Sequence, residues 1–337
     1  MKLSPLKSAL AIDLGTNYTR IYYKGEVTNE PSVIAYDSQS GEIVAIGREA
    51  AEMEGKNPPL ITVSRPLANG VITDFDLTLQ MLQGFLANII GNVVKPRIFI
   101  TVPCGVTDVE RRAICDILHE SEITEIYIIE SPIAAAIGAG CDVNLARGML
   151  LVDLGGGKCD IAAISLGQAI IGRSVKIAGN DFTDALADYL LDKHSLSAGT
   201  ASCEKLKKSI GCAFMREHND IDEISGFNKH LKKPEKIAVR SEETREAFAP
   251  LISKIAAEIK ATLDEIPTEL LGDIIDDGIL LTGGGAQLYG MAKRLRAELG
   301  IKVFLAEDAE MCVIKGASYV AENMDKLPDN TYIFTKA

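Results

Sequence analysis

A chain of 337 residues is long enough for two domains with separate cores, and 47% hydrophobic with 24% charged residues is the balance of an ordinary soluble globular protein. A net charge of −12 excludes the basic surface that nucleic acid requires, and also a purely electrostatic hold on anionic lipid. Seven cysteines stand singly, without metal spacing, and residues 1–8 carry no signal-peptide pattern before the first strand, so reduced thiols and a cytoplasmic location are expected.

Two apolar strands around a short polar turn form a hairpin at about residues 9–25. Strand-like text follows at 32–36 and 43–47, with a polar turn at 37–41 between them, then a helix at 48–55 that Pro58 and Pro59 end. A short strand is expected at 71–74. A helix at 76–90 puts Leu77, Met81, Leu82, Phe85 and Leu86 on one face. A buried strand at 97–103 precedes a helix at 108–120 carrying Val109, Ala113, Ile117 and Leu118, then a strand at 125–129 and a helix at 131–140. The longest apolar stretch, 126–143, contains Glu130 and Pro132 and is a poor membrane span but a good buried helix. A second hairpin occupies 150–167, and strands at 169–172 and 174–178 continue its sheet. Helices are expected at 181–194 and 202–210, and an irregular, charged segment at 212–236. A segment from Val239 leads to a long helix at 245–264. Residues 278–286 read as a strand and a glycine turn, followed by a helix at 289–299, a strand at 303–305 and a helix at 313–323. Strands alternating with helices imply α/β layers.

The two hairpins say the same thing: Asp13-Leu14-Gly15 and Asp153-Leu154-Gly155 each close an apolar strand on a carboxylate beside a small-residue turn. Backbone N–H groups left open by such turns suit phosphate oxygens, and a carboxylate at the strand end suits Mg²⁺ held through water. Gly155, Gly156 and Gly157 together cost more chain entropy than a plain hairpin needs. Gly283, Gly284, Gly285 and Ala286 form a third cluster, which reads either as a close-packed turn or as backbone that a flat ring can approach. The set as a whole points to a nucleotide.

With these motifs the chain resembles the actin-like ATPase superfamily, and within it the MreB-type bacterial actins. The closer likeness lies in 65–75 (Arg65 to Phe75), 102–113, 132–140, Ala306-Glu307-Asp308 and Gly316-Ala317, and extends from about residue 9 to about 325. The resemblance implies an α/β, actin-like two-domain fold of duplicated ribonuclease-H-like cores, with four subdomains around a nucleotide cleft. It divides the chain into a first half at 1–144 with a small subdomain inserted and a second at 145–337 with a small subdomain at about 182–245. It implies ATP and Mg²⁺ as ligands. Thr16, Asn17 and Tyr18 fall at the first phosphate loop, Gly155, Gly156 and Gly157 at the second, and Gly179 near the phosphates. Glu204 and Lys207 fall at the nucleoside contact; a solvated ion pair on one helix face is the alternative reading. Gly283 to Ala286 hold the adenine side, and Asp13 and Asp153 govern the metal.

Two positions depart from the family pattern. Ser131, between Glu130 and Pro132, replaces a glutamate that positions the attacking water, and Lys158 replaces a threonine with a similar task. Ser131 reads as a helix N-cap ahead of Pro132. Lys158 reads either as a point charge on the γ-phosphate or as a solvent-facing side chain. A protonated amine accepts no hydrogen bond from water, so slow hydrolysis at most is expected, with Glu130 as a partial substitute. The family implies self-assembly into filaments that support cell shape and organise wall synthesis, with membrane proteins of wall synthesis as partners. The apolar loop 89–94 is the candidate membrane contact, or else the start of the next strand. The alternatives are a non-polymerising nucleotide sensor or scaffold, and a small-molecule kinase of the same superfamily, for which no substrate-binding insertion is visible.

Overall fold

The computed structural model describes residues 8–90, 96–327 and 334–336. The described parts of 1–146, 164–170 and 311–337 form one compact unit, and 147–163 with 171–310 form another. Residues 311–327, which a boundary at 145 assigns to the second half, therefore belong with the first.

The first unit is built on a six-stranded sheet. Its order is Phe334–Lys336, Ile126–Glu130, Arg97–Val102, Ala9–Leu14, Tyr18–Tyr23 and Glu26–Pro31. Ala9–Leu14 pairs antiparallel with Tyr18–Tyr23 and parallel with Arg97–Val102. Alternation along the strands sends Leu10, Ile12, Ile98 and Ile100 into one core with Met81, Leu82 and Phe85 of the helix Phe75–Ile90. Ile114, Ile117 and Leu118 of the helix Asp108–Glu120 complete it. Val109, expected on that face, is instead 76% exposed in the first turn. A Thr107–Glu110 capping box fixes the start of this helix. A smaller sheet, Ile43–Ile46, Ile34–Asp37 and Ile61–Ser64, packs with the helix Arg48–Met53 around Val33, Ala35, Ala45 and Ala50.

The second unit repeats the plan. Its sheet runs Gln168–Val175, Cys159–Ser165, Met149–Leu154, Ile279–Thr282, Val303–Leu305, so that in both sheets the strands stand 3-2-1-4-5 within their own half, with Phe334–Lys336 added at one edge of the first. Leu150, Val152 and Leu154 meet Phe182 of the helix Gly179–His194 and Phe248 of the helix Ser241–Leu263 in one core, the two rings edge to face at 5.3 Å. The duplicated core agrees with the expected fold class.

Several expectations are corrected. The segment read as irregular holds a long hairpin, Ile221–Asn228 with Lys233–Arg240, paired from Ile221↔Arg240 to Asn228↔Lys233. Its first strand alternates exposed and less exposed residues, but the inner positions are Asp222, Ile224, Gly226 and Asn228, so no apolar alternation marks it in the sequence. The stretch 126–143 splits into the strand Ile126–Glu130 and the helix Ser131–Gly138. The two short strands after the second hairpin are one, Gln168–Val175, and the long helix begins at Ser241. The strands Glu26–Pro31 and Ile61–Ser64 and the helix Thr268–Asp277 were not expected. In the loop proposed for membrane contact, 91–94 lie outside the described residues, as do 1–7. No helix among the described residues is long and apolar enough to cross a membrane, and the seven cysteines are all free, five of them buried.

Behind the first sheet the helices Ser131–Gly138 and Cys312–Asn323 cross with their backbones in contact. A Cβ on Gly138 would lie 1.8 Å from the Cys312 carbonyl oxygen, and one on Gly316 1.8 Å from that of Ala134. Neither backbone oxygen can rotate away, so Gly316→Ala should cost about 3 kcal/mol or more in urea unfolding, at or beyond the upper end of ordinary overpacking. Gly272→Ala, mid-helix with nothing within 4 Å of its Cβ, should instead stabilise by about 0.5–1 kcal/mol. Equal effects at the two sites would contradict this packing.

Candidate functional site

Each unit offers a strand that ends on aspartate and turns through small residues. In the first, the turn closes with the Gly15 N–H donating to the Tyr18 carbonyl at 3.2 Å. A Cβ on Gly15 would sit 2.7 Å from that same oxygen, which explains the glycine. Ser32 ties the turn from behind, its hydroxyl donating to the Gly15 carbonyl and its N–H to that of Asn17. Thr16 is buried and accepts from the Gly70 N–H at 2.8 Å, while Tyr18 is 37% exposed. In the second unit the Gly155 N–H donates to the Lys158 carbonyl at 2.9 Å. The carbonyls of Gly155 and Gly156 accept from Gly179 and Asn180, so the turn is bonded to the first residues of the helix Gly179–His194.

The two aspartates are held alike. Parallel pairing aligns Ile12 with Ile100 and Asp153 with Thr282. One residue beyond the first pair, the Thr101 hydroxyl donates to Asp13 Oδ1 at 3.1 Å, and the Thr282 hydroxyl donates to Asp153 Oδ1 at 3.1 Å. A carboxylate removed from water needs such donors. Neither threonine was among the expected site residues; hairpin and strand register is the signal that finds them.

The residues expected on the adenine side pack on the second turn. Gly283 has φ +87, and its Cβ would lie 2.3 Å from the Leu154 carbonyl oxygen. A Cβ on Gly285 would be 3.0 Å from that of Gly155. Gly284 has room, and Ala286 is buried in a short 3₁₀ turn. Of the three glycines, two are therefore demanded by close packing whatever else they do.

Glu204 and Lys207 reach the same turn through Gly179. The Lys207 ammonium donates to the Gly179 carbonyl at 2.6 Å and to the Thr183 hydroxyl at 2.8 Å, and pairs with Glu204 at 2.5 Å. Thr183 also donates to Glu204. This is a half-buried network, not the solvated pair of the alternative reading. Burial opposes ionisation of Glu204, but Lys207, Thr183 and Lys208 together hold its carboxyl below the ordinary value. Burial pulls the Lys207 ammonium below its ordinary value, against Glu204.

The two positions expected to bear on hydrolysis have local partners. Ser131 is not the cap of its helix: Glu130 stands there, without a side-chain capping bond, and Ser131 is the first helical residue, buried. Its hydroxyl donates across to the Val102 carbonyl at 2.9 Å. Lys158 is mostly buried and pairs with the fully buried carboxylate of Asp160, two residues along the chain in the strand Cys159–Ser165. On the first hairpin, Arg20 pairs with Asp13 at 3.2 Å, both side chains 13% exposed.

Asp13 accepts from Arg20 on one oxygen and from Thr101 on the other, and Asp153 accepts from Thr282; a carboxylate oxygen has room for a second partner, so either aspartate suits a cation held through water. Burial raises the Cys159 thiol well above its ordinary value; Asp160 and Asp153 push the same way, against Lys158, so both carboxylates act on one locale. No cluster of three or more potential metal-ligating His, Cys, Asp or Glu residues exists among the described residues.

A folded carboxyl held low stabilises above the ordinary carboxylate range, and that stability is lost as pH falls through the lowered value. Glu204→Gln should therefore cost about 1–3 kcal/mol at neutral pH, with Lys207 left without its counter-charge. The difference from wild type in urea unfolding should shrink as pH falls below about 4. A difference constant with pH would contradict the network.

A family model for MreB/Mbl protein matches residues 7–329. The cell shape-determining protein Mbl of Bacillus subtilis is 39% identical over 323 residues, covering 95% of this chain and 97% of that protein. The structure of MreB5 of Spiroplasma citri bound to ADP superposes with a TM-score of 0.91 at 31% identity, covering 95% of this chain and 98% of that one. The same protein bound to AMPPNP gives 0.92 at 30% identity, covering 96% and 98%. Paired Asp-Leu-Gly turns on a duplicated core, and likeness along nearly the whole chain, agree: the chain belongs to the MreB/Mbl family.

Proposed function

We propose that this chain is a nucleotide-dependent cytoskeletal protein. It binds ATP with Mg²⁺ through its Asp-Leu-Gly turns, and assembles into filaments that support cell shape and organise wall synthesis. The observation that carries the reading is the repeated turn. In each half an aspartate is fixed by a threonine of the adjoining strand and followed by Leu-Gly and a short turn. Thr16, Asn17 and Tyr18 serve one phosphate loop, and Gly155, Gly156, Gly157 and Gly179 the other. Glu204 and Lys207 sit at the nucleoside, Gly283 to Ala286 at the adenine, and Asp153 holds the metal through water. The solved MreB5 structures with ADP and AMPPNP support the ligand, and the cell shape-determining relative supports the role. The protein works in the cytoplasm at the membrane surface, with membrane proteins of wall synthesis as partners.

Hydrolysis is slow in this reading, because a water nucleophile lacks its usual acceptors: Ser131 gives its hydrogen to Val102, and Lys158 is a cation spent on Asp160. Nucleotide then acts as a clamp rather than as fuel. One experiment covers assembly and turnover: sedimentation of the purified protein with ATP, ADP or neither, with phosphate release followed in the same samples. Nucleotide-dependent pelleting is expected. Phosphate release should be at least about tenfold slower than in a folded Ser131→Glu, Lys158→Thr, Asp160→Asn variant. The third substitution is needed because Lys158→Thr alone strands a buried carboxylate. A protein that stays monomeric while binding nucleotide would favour the sensor reading, and equal release rates would contradict the clamp.

A further inference from the structure

The hairpin Ile221–Asn228 with Lys233–Arg240 lies outside the residues proposed to hold nucleotide, and its tip carries a charge opposite to that of the chain. Residues 229–233 read Lys-His-Leu-Lys-Lys, in a chain of net charge −12. All of them are exposed, and Lys229, Lys232 and Lys233 make no ion pair among the described residues. The nearby acids are engaged by other groups: Glu235 accepts from the Asn228 side-chain amide, and Glu223 pairs with Lys236.

The tip is built to hold its shape. Asn228 Oδ1 accepts from the N–H groups of His230 and Leu231 at 2.9 and 2.8 Å, and the Lys229 N–H donates to the Ser195 carbonyl at 2.8 Å. Lys232 ends the loop with φ +52. Leu231, in the middle of this loop, is 51% exposed, and Phe227, one pair back along the strands, is 43% exposed. The Lys229 ammonium lies 5.9 Å from the Phe227 ring centre. A single exposed leucine is ordinary. An exposed leucine and phenylalanine set among lysines are instead the composition of a membrane-interface contact, with apolar side chains in the acyl boundary and ammonium groups at the phosphates.

Size favours lipid over protein as the occupant. A protein interface commonly takes about 20–30 residues a side, and this tip offers only residues 227–234. A lipid surface needs no such area, because each lysine near anionic headgroups adds its own increment. Charges more than about 10 Å away are largely screened, so the acidic remainder does not cancel this local attraction.

We propose that the tip 227–234 is a contact for the anionic headgroups of a membrane. Lys229, Lys232 and Lys233 bind the headgroup phosphates, and Leu231 and Phe227 enter the interface between them. This rests on the membrane-surface location given above and deepens it by naming the contact. The hold is then local, and electrostatic and apolar together, which a net charge of −12 does not forbid.

The test is flotation of the purified protein with vesicles in a density gradient, which separates membrane-bound protein from filaments that sediment. Vesicles of phosphatidylcholine with phosphatidylglycerol are compared with vesicles of phosphatidylcholine alone. Wild type should float with the first and not with the second, and less as salt is raised. Lys232→Gln with Lys233→Gln should weaken binding by about tenfold or more. Leu231→Ser should weaken it by about tenfold while the salt dependence stays. Both variants should melt and pellet with ATP as wild type does, because the changed side chains are exposed. A wild type that floats equally with both vesicles, or variants that float as well as wild type, would overturn the tip assignment and leave the membrane location standing. A wild type that floats with neither overturns both. Variants that lose ATP-dependent pelleting in the absence of vesicles would make the tip a contact between copies of this chain, and would overturn the lipid assignment.

Discussion

A carboxylate at the end of a buried strand has to be satisfied, and in both halves the threonine of the next parallel strand does it. Asp13 with Thr101 and Asp153 with Thr282 are the same bond made twice, at the same length, in two sheets of the same strand order. Leaving such a group unpaired costs about 1–3 kcal/mol or more, so the bond constrains where each strand must stop and which register its neighbour must take. The turn that follows is then free to spend its backbone outward. Gly15 and Gly155 each close their turn with one backbone bond, and the Gly155 and Gly156 carbonyls also receive the first N–H groups of the helix Gly179–His194. The turn, the helix start, Lys207 and Glu204 form one continuous hydrogen-bonded chain.

The halves diverge in how each supports its own copy of this motif. The first is backed by two helices whose backbones touch at Gly138 and Gly316, a contact any Cβ would destroy. The second is backed by the Gly283–Ala286 turn, folded onto Leu154 and Gly155. The polar residues around the turns differ as well. A serine and a lysine that look available for water chemistry in a linear reading are both consumed by local partners, Val102 and Asp160. In the proposed reading, binding and turnover thus separate on physical grounds: the small-residue turns are kept, while Ser131 and Lys158 are bonded to local partners.

Much of this was legible in the sequence because it rests on local patterns. The Asp-Leu-Gly pairs, the helices with a 3.6-residue apolar period and the glycine clusters all announce themselves. What was not legible depends on partners distant in the chain or on patterns that burial does not enforce. The strand Glu26–Pro31 is polar and sits at a sheet edge. The hairpin 221–240 buries so little that its apolar residues need not alternate, and it tolerates Gly226, whose Cβ would lie 2.6 Å from the Ser197 carbonyl oxygen. Ser131 looked like a cap because Pro132 follows it, yet the Val102 carbonyl lies across the sheet and claims its hydroxyl. Arg20 belongs to no local motif, and only hairpin register places it opposite Asp13.

The central claim is that the two Asp-Leu-Gly turns are where nucleotide is held. Hydrogen exchange of the backbone amides, with and without ATP and Mg²⁺, reads this directly, because a phosphate bonded to turn N–H groups slows their exchange. Slower exchange should be confined to peptides spanning residues 13–20, 153–160, 179–183 and 282–287, on both turns in the same titration. Unchanged exchange at these turns under saturating nucleotide, or protection found only elsewhere in the chain, would contradict it.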